Sequence, residues 1–259
     1  MKVLIHATPE LAIARAADQI VARLDALPGT VLGLATGGTM EAVYARLIEH
    51  HRRGEVSFAQ SRSFNLDEYV GLPPDHPRSY WRYMRGHLFD HVDFAEGATH
   101  LPRGDAADPE AEAAAYEKAI AAAGDIGLQL LGLGANGHIG FNEPTSSLSS
   151  LTRIKTLTRS TREANARYFD NPDDVPRLAI TMGIGTIMRA DEVVLLAYGD
   201  SKAEAAAAMI EGPLSAACPA SALQMHRKAT IVLDQAAASR LKLRDYYEEV
   251  HPGGRDDLV

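Results

Sequence analysis

Short β-rich runs alternate with amphipathic helical stretches along almost the whole chain, and this alternation constrains the fold more than any other feature of the sequence. VLIHA (3–7) precedes LAIARAADQIVARLDAL, VLGLAT (31–36) precedes TMEAVYARLIEHHRRG, and EVVLLAYG (192–199) precedes SKAEAAAAMIEG. SRSFNL, IGLQLLGLG, RIKTLT, RLAITM and KATIVLD supply further strand-like runs. Strand–helix–strand units return the chain to start each new strand parallel to the last. The expectation is therefore an open, mostly parallel twisted α/β sheet of about seven strands with helices on both faces, a Rossmann-like three-layer fold. Punctuation agrees with it: Thr8 is placed to cap the first helix with Pro9 at its first position, and Gly54 to end the second.

The 259 residues, 46% of them hydrophobic, supply enough apolar material for one large core. No repeat or linker divides them, so 1–259 reads as a single domain. The interval 151–176, polar and broken at Asn171-Pro172, reads as a flap. No apolar stretch approaches the roughly 20 residues of a membrane span, and the start MKVLIHATPE lacks a signal peptide's apolar region. With Cys218 as the one cysteine, disulfides are excluded and a cytoplasmic location away from membranes is expected. A net charge of −8 argues against a nucleic-acid partner but leaves small anions, for which a few local cations suffice.

Within LGLGANGHIGFNEP (131–144), Gly132, Gly134 and Gly137 spell G-x-G-x-x-G after an apolar run. A dinucleotide site would need a helix opening at the third glycine and an acidic residue about 20 positions on. HIGFNEPTSS starts no amphipathic helix, and the later zone, RIKTLTRS, is basic and hydroxylic. What the stretch offers instead is Asn136, His138 and Glu143 in one turn-rich segment after a buried strand, a natural proton-transfer group. A second carboxylate pair, Asp67-Glu68, ends the run FNL; on a strand the two point to opposite faces, so one of them enters a site. Thr36, Gly37, Gly38 and Thr39 lie between a strand and a helix, where backbone N–H groups cradle a phosphate, and no P-loop lysine follows. Lys202 stands at the start of a helix, a position the helix dipole disfavours for a cation unless an anion compensates. His87 and His91 have metal-ligand spacing but no third ligand in a zinc-protease pattern, so no metal is assigned.

Three motifs, LATGGT, FNLDEYVGLPPDHPRSY and GLGANGHIGFNEPTSSL, together closely resemble the glucosamine-6-phosphate deaminase family, over a span from the first strand through KATIVLD. The resemblance implies conversion of an amino-sugar phosphate, glucosamine 6-phosphate, with water into fructose 6-phosphate and ammonia, without metal or organic cofactor. It implies that Asp67 moves a proton between C2 and C1, and that His138 opens the sugar ring with Asn136 and Glu143 as partners. It also implies phosphate binding by residues 36–39, Arg167 and Lys202. Some members carry Asp where this chain has Asn136, which cannot titrate and acts only through hydrogen bonds. Certain members are hexamers activated by N-acetylglucosamine 6-phosphate through residues matching Ser146, Arg153 and Lys155, so a homo-oligomer is compatible with the resemblance. The alternatives are a 6-phosphogluconolactonase-like enzyme or another sugar-phosphate isomerase on the same fold, and a non-catalytic sugar-phosphate sensor.

Overall fold

A computed structural model describes residues 1–256. Strand β1 (Lys2–His6) runs to Thr8, whose hydroxyl accepts the N–H of Leu11 and caps α1 (Pro9–Ala26). β2 (Val31–Leu34) leads into α2 (Gly38–Arg52), and β3 (Arg62–Asn65) passes through Leu66 into the short β4 (Asp67–Tyr69). Ser79 caps α3 (Tyr80–His87), which is followed by a 3-10 turn at Phe89–His91. β5 (Thr99–His100), α4 (Pro109–Ala122, capped by Asp108) and β6 (Leu128–Gly132) follow. The second half contributes β7 (Arg153–Thr156), α5 (Arg159–Asn165), β8 (Leu178–Thr181) and α6 (Ile184–Met188). β9 (Glu192–Ala197), α7 (Ala203–Glu211), β10 (Ala229–Asp234) and α8 (Arg244–Val250) complete the order.

Seven strands form one open sheet in the order β1-β10-β9-β6-β2-β3-β5, every pair parallel. Along β2, β9 and β10 nearly every residue is buried, although successive side chains point to opposite faces, so both faces are covered. Leu32, Leu34 and Tyr44 are among the fully buried side chains of this core, each contributing about 1.5–3 kcal/mol through burial. From β2 the chain steps outward through β3 to β5, then returns to place β6 on the other side of β2. The order thus reverses between β2 and β6, and ligands of open α/β sheets bind in the crevice outside the strand ends at such a point.

The strand-like runs RIKTLT and RLAITM do not extend this sheet. They form β7 and β8 of a separate antiparallel sheet, β4-β8-β7. The physical reason is visible in their composition: β7 alternates charged and apolar residues and is only half-buried, which suits a sheet with one solvated side. Leu66 joins the two sheets, its N–H donating to Leu34 at 2.9 Å and its carbonyl accepting from Met182 at 2.7 Å. Asp67, the next residue, is thereby carried off the end of β3 and paired with Thr181.

Candidate active site at the strand-order reversal

A cavity of about 480 Å³ opens at this reversal, lined by the loops that follow β2, β3, β6 and β9 and by the α5 segment. Thr36, Gly37, Gly38 and Thr39 line one side; Asp67, Asn136 and His138 line another; Arg167 and Lys202 complete it. Residues from five separate parts of the chain therefore converge as the sequence motifs imply.

Asp67 is 5% exposed. Burial, reinforced by the neighbouring Glu68 carboxylate, pushes its pKa up to about 8, against smaller opposing effects of the Thr181 hydroxyl and the Phe141 N–H. Glu68 points away from the cavity, as strand alternation requires. It accepts the N–H groups of Tyr80 at 3.0 Å and Trp81 at 3.0 Å, the first turn of α3, and that of Tyr69 at 2.9 Å. Burial raises its pKa to about 7 although these three donors hold it down. Glu68 is thus the anchor of α3, whose Tyr80 lines the cavity.

His138, Asn136 and Glu143 form a chain of hydrogen bonds. Asn136 Nδ2 donates to Glu143 Oε2 at 2.8 Å, and Asn136 Oδ1 faces His138 Nδ1 at 2.6 Å while also accepting the His138 N–H at 3.2 Å. The carboxylate dictates the amide's orientation, since a flipped Asn136 would put its oxygen against Glu143. An amide oxygen can only accept, so Nδ1 carries the ring proton and Nε2 is left with its lone pair. Glu143 Oε2 itself lies 3.5 Å from His138 Nδ1. Glu143 is buried, which alone would raise its pKa; the neighbouring His138 ring and hydrogen bonds from Thr161 and Asn136 outweigh burial and hold it at about 2. It is an ionised carboxylate one layer behind the cavity wall. Gly134 makes room for this arrangement, because a Cβ there would lie 2.3 Å from His138 Cε1.

The turn before α2 passes through Gly37 at φ 103°, a conformation that favours glycine, and no side chain caps the helix. Its first N–H groups are left for an anion. The Tyr44 hydroxyl, donating to the Ala35 carbonyl, pins this turn from within α2. Arg167 lies across the opening, its Nη2 donating to Tyr168 Oη at 2.9 Å and its Cζ 4.8 Å from that ring's centroid. Lys202 Nζ donates to the Leu133 carbonyl at 2.7 Å, and its pKa is lowered by burial and by the charge of Arg167.

Ser146, Arg153 and Lys155 do not line this cavity. Ser146 is 2% exposed, and Arg153 Nη1 donates to Asn142 Oδ1 at 2.7 Å. Asn142 in turn ties the loop to Ile139 and Met182 carbonyls, so Arg153 braces the His138 loop. His87 packs on Tyr83, and His91 Nε2 lies 2.9 Å from the Gly86 carbonyl. Tyr80, which closes the FNLDEYVGLPPDHPRSY motif, also lines the cavity, as do Ser160, Thr161 and Asn165, which lie in none of the three motifs. Asn165 Nδ2 donates to Tyr69 Oη at 3.0 Å, and Tyr80 Oη donates to the same oxygen at 3.2 Å. Ser160, Thr161 and Asn165 are ordinary polar residues in the sequence, and no local pattern marks them.

Fold and site together define an open α/β protein with two carboxylates, an imidazole and two cations gathered at its strand-order reversal. Residues 7–232 match the family described as glucosamine-6-phosphate isomerases/6-phosphogluconolactonase, and the chain belongs to that family. It is 55% identical to a glucosamine-6-phosphate deaminase of Hahella chejuensis, over 96% of this chain and 95% of that one. It is 52% identical to a glucosamine-6-phosphate deaminase of Corynebacterium aurimucosum, over 95% of this chain and 96% of the relative. A solved structure of a monomeric glucosamine-6-phosphate deaminase superimposes with a TM-score of 0.91 at 46% identity, covering 93% of this chain and 100% of that one. The 6-phosphogluconolactonase of Trypanosoma brucei, at TM-score 0.76, 21% identity and coverage of 93% and 98%, shares the fold.

Proposed function

We propose that this chain is a glucosamine-6-phosphate deaminase, releasing ammonia and fructose 6-phosphate from glucosamine 6-phosphate and water. The observation that carries the reading is the convergence of Asp67 and His138 on one cavity with the 36–39 turn, in a chain about half identical to deaminases along nearly its full length. The phosphate docks on the N–H groups of the turn at Thr36–Thr39, with Arg167 and Lys202 as counter-charges. This fixes the sugar's far end and places C1 and C2 near the acid/base groups.

His138 Nε2, the free nitrogen, moves a proton between the C1 hydroxyl and the ring oxygen, opening the ring to the aldehyde. The transient imidazolium is stabilised by the Glu143 charge, relayed through Asn136. Asp67 then removes the C2 proton as the carbonyl oxygen takes one from the substrate's own ammonium, giving an enolamine, and Asp67 returns its proton to C1. The resulting C2 iminium adds water and expels ammonia, leaving the ketone. A carboxylate pushed to about 8 is a far stronger base than an exposed one, and the substrate's ammonium offsets the desolvation that raised it. Nothing in these steps needs a metal or organic cofactor.

The single cysteine suits a reducing, cytoplasmic setting. No described helix is long and apolar enough to cross a membrane. In this reading residues 1–259 make one functional domain, with a flap at about 151–176 over the substrate. The experiment is a side-by-side assay of ammonia release from glucosamine 6-phosphate and of 6-phosphogluconolactone hydrolysis. Ammonia release with negligible lactone hydrolysis supports the reading; the reverse preference contradicts it.

A further inference from the structure

Glu143 sits in the loop after β6, yet both donors to one of its two carboxylate oxygens come from the 151–176 segment. Asn136 provides the donor at Oε2, whereas at Oε1 the donors are the hydroxyls of Thr158 and Thr161 at the start of α5. A proton count separates the two threonines. Thr158 is the N-cap of α5, accepting the Thr161 N–H at 3.2 Å. Its one hydroxyl proton has Glu143 Oε1 at 3.2 Å, Ser160 Oγ at 3.0 Å and Thr161 Oγ1 at 3.0 Å to choose from. The Thr161 hydroxyl donates to Glu143, is buried, and lines the cavity six residues before Arg167.

We propose that Thr161 is a positioning residue of the reaction: by holding Glu143 Oε1 it aims the other carboxylate oxygen at Asn136 and so fixes the His138 ring. The inference rests on the deaminase reading, in which His138 opens the sugar ring. Its consequence is that the segment bearing Arg167 also supplies part of the acid/base relay. Thr161 is on Glu143 with no anion bound, and Arg167 lies six residues further along the same segment, so one stretch of chain serves both the phosphate contact and the imidazole's support.

The test uses the full chain and Thr161→Val, which keeps the side chain's shape and removes the donor. Loss of a hydrogen bond to a charged group should lower kcat by roughly tenfold to a hundredfold. KM for glucosamine 6-phosphate should stay within about threefold, because uniform substrate binding is untouched. Thr161→Ser should recover most of the turnover, and Thr161→Ala, which only removes atoms at a helical position, serves if the valine variant does not fold. Valine or alanine variants with kcat within about threefold of wild type, or a serine variant as slow as valine, would overturn the proposal. Wild-type protein that releases no ammonia would overturn the deaminase reading, and this inference with it; active wild type with an unaffected Thr161→Val overturns the inference alone.

Discussion

Replacing Gly134 by alanine adds one methyl group and nothing else, and the structure says where that methyl goes. Its carbon would lie 2.3 Å from His138 Cε1 and 2.4 Å from both ring nitrogens, where 3.4 Å marks ordinary contact. The imidazole must therefore retreat by about 1 Å, a displacement that can cost on the order of a hundredfold in rate when it misplaces a reacting group. The retreat also stretches the 2.6 Å contact between Nδ1 and Asn136 beyond hydrogen-bonding range, which unties the ring from Glu143. The fold should survive, since His138 retains side-chain exposure of 21% and has an open cavity to move into. Thermal unfolding would check the fold, and a coupled ammonia assay the rate. The expected result is a melting temperature within a few degrees of wild type with kcat lowered roughly a hundredfold. A Gly134→Ala protein that turns over at the wild-type rate would refute the placement of His138 as the ring-opening group.

Arg167→Ala should raise KM for glucosamine 6-phosphate by about tenfold or more, as expected for loss of a charged phosphate contact; an unchanged KM would remove Arg167 from the phosphate site. Glu143→Gln should cut kcat about a hundredfold, because the imidazolium loses its charged partner. It should also forfeit stability that wild type holds at neutral pH, since a carboxylate held at about 2 contributes fully above its unfolded value and loses that contribution as pH falls from there through 2. An equally stable, fully active variant would contradict both. Asp67 has the opposite sign. Its folded pKa near 8 means that stability falls as pH rises from the unfolded carboxylate value towards 8. Asp67→Asn should therefore melt above wild type at pH 9 and lose this advantage near pH 4. For wild type, kcat/KM should rise with pH up to about 8, where the free enzyme's base becomes ionised; a flat profile between pH 6 and pH 9 would exclude Asp67 as that base.

Much of the architecture could be read from local patterns because those patterns act alone. β2, β9 and β10 are uninterrupted apolar runs, which a parallel sheet buried on both faces demands, and Thr8-Pro9 is a self-contained helix start. The small sheet β4-β8-β7 was less accessible: as short strand-like runs, RIKTLT and RLAITM fit the large sheet equally well, and their pairing with β4 is decided by tertiary structure. In the site, Asp67, His138 and the 36–39 turn were legible because each ends or follows a recognisable strand. The alternation rule separated Asp67 from Glu68 but could not reveal that Glu68 holds the start of α3, a contact between residues 12 or 13 positions apart across a proline-rich loop. Thr161 was invisible for a similar reason. Its importance depends on Glu143 lying against α5, which tertiary packing decides and no spacing encodes. Arg153, which the family resemblance matches to a possible effector contact, donates to Asn142 in the structure, a partner that local sequence could not name.

In the proposed reaction Asp67 is the base that carries the proton between C2 and C1. The most direct measurement is the rate of fructose 6-phosphate and ammonia formation by Asp67→Asn, with substrate binding and melting temperature followed on the same protein. The expected result is a loss of roughly a hundredfold to ten-thousandfold in kcat with the fold and sugar-phosphate binding retained. A folded Asp67→Asn protein that releases ammonia at the wild-type rate would contradict the account.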